Sequence, residues 1–245
     1  MYKKFLLIAF MSHPLIGLGA PFEIKVHDEL IASENENAYE FETNLHQKSN
    51  SEPLQGTFFQ TRLEYARGIS SASEVSINGF ASVYNGNTYL NGGKLAYMYI
   101  PEHDESGIFH YGIKNEINYI KAVGGGSQTF IEVTPILAFQ LSKWRLSLNP
   151  SLDIYLSGNT ENYVLAPSTK LQYELSKTAY ISTEYYSELS PANHLGSFSQ
   201  RPDMLYLVFD KIIDKKSNLN FGIGQSTHSN SDKWALKLIY AFSFD

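Results

Sequence analysis

From Trp234 to Phe244 every second residue is large and apolar: Trp234, Leu236, Leu238, Tyr240, Phe242 and Phe244. Between them stand Ala235, Lys237, Ile239, Ala241 and Ser243, small or polar apart from Ile239. Side chains of an extended chain alternate between two faces, so this is a β-strand with one greasy face and one mixed face. Asn218 to Gly224 repeats the pattern, setting Leu219, Phe221 and Ile223 against Asn218, Asn220, Gly222 and Gly224. So does the run that sets Leu146, Leu148, Pro150, Leu152, Ile154 and Leu156 against Arg145, Ser147, Asn149, Ser151, Asp153 and Tyr155. In a soluble sandwich the apolar face would be the core. In a membrane barrel it meets lipid, and the polar face lines the lumen. Periodicity does not separate the two; the start of the chain and its connections do.

Met1 to Ala20 opens with Lys3 and Lys4, continues through the apolar run Phe5 to Met11, and closes on Gly17-Leu-Gly-Ala20. A basic start, a short apolar core and a small residue before the cut describe a secretory signal peptide, cleaved after Ala20. A buried N-terminal helix is the plainer reading, but Pro14 and the two glycines would break it. Export follows, and with it an expected location in the cell outer membrane. No window approaches the ~18 consecutive apolar residues of a membrane-spanning helix, so insertion has to be as a barrel.

After residue 36 the chain breaks into segments of roughly ten residues separated by turn-rich stretches, the spacing of a transmembrane barrel. The strands are expected at 37–47, 57–68, 74–84, 92–101, 107–121, 129–141, 144–157, 164–176, 179–189, 203–212, 218–226 and 233–244. The fold class is therefore all-β, an antiparallel up-and-down transmembrane β-barrel of about twelve strands, occupying 36–245. Ser142-Lys143, Lys177-Thr178 and 214–217 are short and polar, whereas 122–128, 158–163 and 190–202 are longer and rich in Gly, Ser, Asn or Pro. Short turns at one end and long loops at the other are the usual asymmetry of such barrels, with the long loops outside. Residues 21–35 read as an N-terminal periplasmic segment. Whether it forms a strand there or enters the barrel mouth is left open by the sequence.

Composition removes several function classes. At 43% hydrophobic and 14% aromatic residues the chain is not disordered, and 17 Tyr and 15 Phe beside 2 Trp favour strands. The absence of cysteine excludes a disulfide scaffold and a thiolate metal site. The formal charge is −6, and −8 once Lys3 and Lys4 leave with the leader; an acidic chain without a basic patch argues against nucleic acid. The seven histidines, at 13, 27, 46, 103, 110, 194 and 228, form no short-spaced pair, and Gly124-Gly-Gly126 lacks the Lys and Ser/Thr of a phosphate loop. No cofactor or metal is expected.

The sequence also resembles a family of proteobacterial outer-membrane β-barrels of unassigned function, distantly similar to transporter barrels and to barrels of a phenol-degradation pathway. Pro21-Phe-Glu-Ile-Lys-Val-His-Asp28, Lys94-Leu-Ala-Tyr-Met-Tyr-Ile-Pro101, Glu184-Tyr-Tyr186, Asn218 to Gly224 and Ser231-Asp-Lys-Trp234 carry the likeness, which spans most of the mature chain. It implies a barrel and names no activity. The partners implied are outer-membrane lipid and lipopolysaccharide, the barrel-assembly machinery and an unidentified small solute. Barrels of this kind end in an aromatic residue read by that machinery; here Phe244 is penultimate, before Asp245.

On this reading the lumen receives Glu42 and His46 from the first strand and Arg62 and Glu64 from the second. Later strands add Lys94, Lys114, Glu116, Glu132, Arg145, Asp153, Lys170, Glu174, Glu184, Asp210 and Lys237. Both signs are represented, as in a pore for small polar or ionic solutes. The plainer role for such charges is to pair across a narrow lumen and fix its shape. No catalytic residue is expected. Glu64 and Glu132 could act as acid and base only if adjacent. His228-Ser229 does not match the arrangements of lipid-cleaving barrels, and neighbouring side chains of a strand point to opposite faces. The leading function is a passive channel or uptake pore. The alternatives are a closed barrel with a structural or surface-interaction role and, behind it, a lipid-modifying enzyme.

Overall fold

A computed structural model describes residues 24–28, 30–48, 56–101, 107–159, 162–189, 203–227 and 232–244. The expected leader with its cut after Ala20, the His228-Ser229 pair and Asp245 lie outside the described residues. The strands are β1 (Asn37–Lys48), β2 (Gly56–Ser70), β3 (Ser73–Tyr84), β4 (Asn87–Tyr99), β5 (Phe109–Lys121) and β6 (Ser127–Leu141). They continue as β7 (Trp144–Ser157), β8 (Tyr163–Ser176), β9 (Ala179–Ser187), β10 (Asp203–Ile212), β11 (Ser217–Gln225) and β12 (Trp234–Phe244). Each strand pairs antiparallel with its neighbours in sequence, and β12 returns to β1 through Gln47↔Trp234 to Asn37↔Phe244. The result is a closed twelve-strand barrel with no free edge.

Alternation places the two faces. Along β2, Phe59, Leu63 and Ile69 point outward while Phe58, Gln60, Arg62 and Ala66 are buried inside; Leu63 is 54% exposed and Arg62 only 1%. The outward series continues through Phe41, Ile77, Leu95, Ile117, Leu171, Leu207, Phe221 and Leu238, all exposed. An apolar surface that encircles a barrel is stable in lipid and would aggregate in water. Aromatic pairs girdle the end where β1 begins and β12 ends. Tyr39 packs against Tyr65, Phe242 and Phe244, Phe109 against Phe139, and Trp144 against Tyr173.

Two features depart from the sequence reading. β4 begins at Asn87 rather than near residue 92, because Asn85 (φ 50°) and Gly86 (φ 76°) turn the chain in two residues. Positive φ at both central positions is the demand of a tight hairpin, met by Asn-Gly. The second departure is a seam in the wall. The β6–β7 ladder stops after Val133↔Leu152 and resumes unshifted at Leu137↔Leu148, so Pro135 faces Pro150, and Pro150 pairs in turn with Pro167 of β8. Three prolines thus stand abreast on the lipid side, where none can donate a ladder hydrogen bond. On the lumen side Thr134 and Ser151 bridge the gap through their hydroxyls at 2.7 Å.

Candidate functional site

Inside the barrel the polar side chains gather into ion-paired clusters on separate arcs of the wall. On β1 and β2, Arg62 bonds Glu40, Glu42 (2.9 Å), Glu64 (2.6 Å) and Asn78 of β3 (2.9 Å). On the other side of β1, Lys237 of β12 bonds Glu184 of β9 and lies over the rings of Tyr186 and Tyr206. Lys170 of β8 spans Glu184 (3.3 Å) and Asp210 (2.9 Å), and Gln172, Ser182 and Asn220 also donate to Asp210. On β4 and β5, Lys94 and Lys114 both reach Glu116 at 2.7 Å.

Every residue expected in the lumen lies on the inner face. Glu42, Arg62, Lys94, Lys114, Glu116, Glu132, Asp153, Glu184 and Lys237 are buried, and Glu64, Arg145, Lys170, Glu174 and Asp210 are half-buried. Glu64 and Glu132 are four strands apart in the ring and belong to different clusters, so they form no acid–base pair. His46 lies near the C-terminal end of β1, where its Nδ1 is 2.5 Å from Asp232, and Lys48 meets the same carboxylate at 2.9 Å. Burial alone would raise the Asp232 carboxyl. Hydrogen bonding and charge from His46, together with the Lys48 ammonium, outweigh it and hold the group below the usual range. This contact ties the loop ahead of β12 to β1.

The sequence reading set residues 21–35 in the periplasm or at the barrel mouth. Their described part lies within the barrel. Ile24 N donates to Glu42 (2.8 Å), and Ile24 O accepts from Lys237 (3.1 Å), both on the β12–β1 side. Lys25 pairs with Glu40 at 2.7 Å. Three residues later the chain is at the opposite wall: His27 N donates to Asn149 Oδ1 of β7 (2.7 Å), Asn149 Nδ2 donates to His27 O (3.1 Å), and Lys114 Nζ of β5 lies 3.0 Å from His27 Nε2. Three extended residues reach only ~10 Å, so inward side chains of both walls meet the segment partway. It then descends. Ile31 packs beside Met98, Ile100 and Ile136, and Ala32 N donates to Glu74.

At the base, Glu34 bridges Gly68 in parallel, Asn35 N donates to Gly68 O and Gly68 N to Glu36 O. A Cβ on Gly68 would lie 2.0 Å from Ser33 O, so the segment crosses β2 where only glycine leaves room. Between this crossing and the β6–β11 wall lies a cavity of about 590 Å³, lined among others by Lys25, His27, Arg145, Lys170, Asp210 and Lys237. Among the described residues, no group of His, Asp and Glu is arranged to hold a metal ion.

Glu40, Glu74, His27 and Asn149 are functional contacts that the sequence reading did not single out. Glu40 has the same parity as Glu42 on β1, and Glu74 the same parity as Asn78 on β3, so alternation carried the signal for both. Nothing local marks Asn149 as the partner of His27, 122 positions away.

No protein-family model matches the sequence, and no curated protein matches it. Solved structures share the fold. An outer-membrane channel of Pseudomonas putida F1 superimposes with a TM-score of 0.65 at 10% identity, over 91% of this chain and 100% of that one. The KdgM porin gives 0.55 at 10% identity over 85% and 99%, and the NanC porin 0.54 at 10% over 84% and 99%.

Proposed function

We propose that the protein is a diffusion channel of the bacterial outer membrane, selective for small polar or charged solutes, whose bore is narrowed by its own residues 24–32. The observation that carries this reading is the combination of a polar, partly open interior with a segment held across it by side-chain contacts. A barrel evolved only as a solid wall would have little use for a 590 Å³ cavity lined by charges. The kinship of fold with channels and porins supports the reading and names no solute. Lumenal Lys, Arg, Glu and Asp set the field that a passing ion meets, while the longer outer loops set access.

A closed barrel with a structural role is favoured by one specific observation, the same crossing segment. Single-channel conductance of the refolded, leader-free protein in a planar bilayer separates the two. The intact chain is expected to conduct weakly. Removal of 21–32 is expected to raise conductance severalfold in a barrel that still shows heat-modifiable mobility on gels. A folded barrel that conducts neither with the segment nor without it ends the channel reading.

A further inference from the structure

We infer that the short-turn end of the barrel carries, on its lipid side, a binding site for the phosphate headgroup of an anionic phospholipid, centred on Lys177 and Lys211. The inference requires only that the barrel stand in a membrane, and it is independent of whether the bore conducts. Three hairpins in succession at this end, β6–β7, β8–β9 and β10–β11, carry lysine at the tip: Lys143, Lys177, and Lys215 with Lys216, all exposed. The acid among these tips, Asp214, is engaged by its own turn, where it accepts from Lys216 N at 2.8 Å. Among the described residues, Lys143, Lys177 and Lys211 form no ion pair. At the same end, ahead of β1, the rim is acidic instead, with Glu34 and Glu36. The basic tips therefore form one arc, not a uniform collar.

The geometry gathers two cations at one tip. Lys211 has the parity of Leu207 and Phe209 on β10, so it leaves the wall on the lipid side. Its Nζ donates to Thr178 Oγ1 at 2.9 Å, and Ile212 N donates to Thr178 O at 2.9 Å, which holds the end of β10 against the β8–β9 tip. Lys177 is the residue before Thr178. Like charges on one tip repel until an anion lies between them. Thr178 accepts from Lys211 and keeps its own proton to donate, so a phosphate meets two ammonium groups and a hydroxyl. Lys143 adds charge from the adjoining tip, where its carbonyl accepts from Glu174 N at 2.9 Å. The surface next to these lysines defines the rest of the ligand. Trp144 and Tyr173 pack with ring centroids 4.7 Å apart, and Leu141, Leu175 and Ile213 are exposed beside them. Aromatic rings of a barrel mark the level of the membrane interface, and lysines just beyond them reach the phosphate plane with their stems along apolar surface. A small anion in water would use the lysines and leave that surface bare. A phospholipid covers both. With the short turns on the periplasmic side, the site faces the inner leaflet.

The chain has two tryptophans, and Trp144 stands at the site while Trp234 lies at the other end of the barrel. The test is therefore tryptophan quenching in the refolded, leader-free protein carrying Trp234→Phe, reconstituted in phosphatidylcholine vesicles. Bromine-labelled phosphatidylglycerol is compared with bromine-labelled phosphatidylcholine at matched mole fractions. Attraction of one lysine to an anionic surface is worth about fivefold in binding. Phosphatidylglycerol is expected to reach half-quenching at a mole fraction at least fivefold lower. Lys177→Gln with Lys211→Gln is expected to bring the two lipids level, and Lys121→Gln, exposed at the opposite end, to leave the preference unchanged. If the double variant does not refold, each single change is expected to reduce the preference. Equal quenching by the two lipids, or a preference that survives the double variant, overturns the inference. So does an equal loss with Lys121→Gln, which would reduce the effect to general surface charge. Quenching reads lipid contact at Trp144 and does not depend on conductance, so the site and the channel stand or fall separately.

Discussion

Arg62 is where the interior is most exposed to a single change. Its guanidinium, 1% exposed, is shared among Glu40, Glu42, Glu64 and Asn78. A planar fork of five donors suits three carboxylates as no other side chain does. Removing it leaves buried negative charges short of a cation, an imbalance worth roughly 3–5 kcal/mol when a buried pair is broken from one side. Arg62→Ala is therefore expected to lower stability by about that amount, read from urea unfolding of the refolded barrel. A loss under about 1 kcal/mol, the range of solvent-exposed ion pairs, would show that water already screens the cluster. At this scale much was legible: alternation alone put Arg62, Glu42 and Glu64 on one face. Which carboxylate would meet which cation was not, because rung pairing depends on the register of strands that the sequence fixes only to within a few residues.

The crossing segment is the element on which function turns, and Gly68 is its hinge with the wall. A side chain there would collide with the backbone of Ala32 and Ser33, whereas Gly79 has open space about it. Gly68→Val is expected to displace the segment and raise single-channel conductance severalfold, with Gly79→Ala as a control that leaves it unchanged. If Gly68→Val folds and conducts like the parent, the segment is not the constriction. Strand existence and direction were readable from period and turn chemistry, and eleven of the twelve strand starts fall within two residues of expectation. β4 was cut short because Asn87-Thr-Tyr-Leu90 looks like loop next to Asn85-Gly86, although that dipeptide is itself the hairpin signal. The path of residues 24–32 was beyond reading for a different reason. A short alternating stretch carries no information about which distant side chains will hold it, and its partners on β7 and β5 come from far along the chain.

Taken as a whole, the barrel is not uniform around its circumference. Pro135, Pro150 and Pro167 remove donors from three neighbouring strands at one height, while the wall formed by β10, β11, β12 and β1 is paired without interruption. Amides flanking the prolines on β6 to β8 are expected to exchange with deuterium faster than those at the same depth on β11 and β12, measured by mass spectrometry of the lipid-embedded protein. Equal rates on both sides would mean that the hydroxyl bridge of Thr134 and Ser151 fully replaces the missing ladder.

The closure of β12 on β1 has a bearing on how the molecule comes into being. Residues 30–36 lead directly into β1, and residues 24–28 are already inside the ring that β12 completes. A chain cannot readily be threaded into a sealed cylinder whose bore is crowded with side chains. The order of events during membrane insertion is thereby constrained: the leading residues must be drawn in while the seam between the first and last strands is still open, and the final zipping locks them there. A bulky reporter fused just ahead of residue 24 would obstruct that last step. The same reporter placed in one of the outer connections would be carried along without interfering.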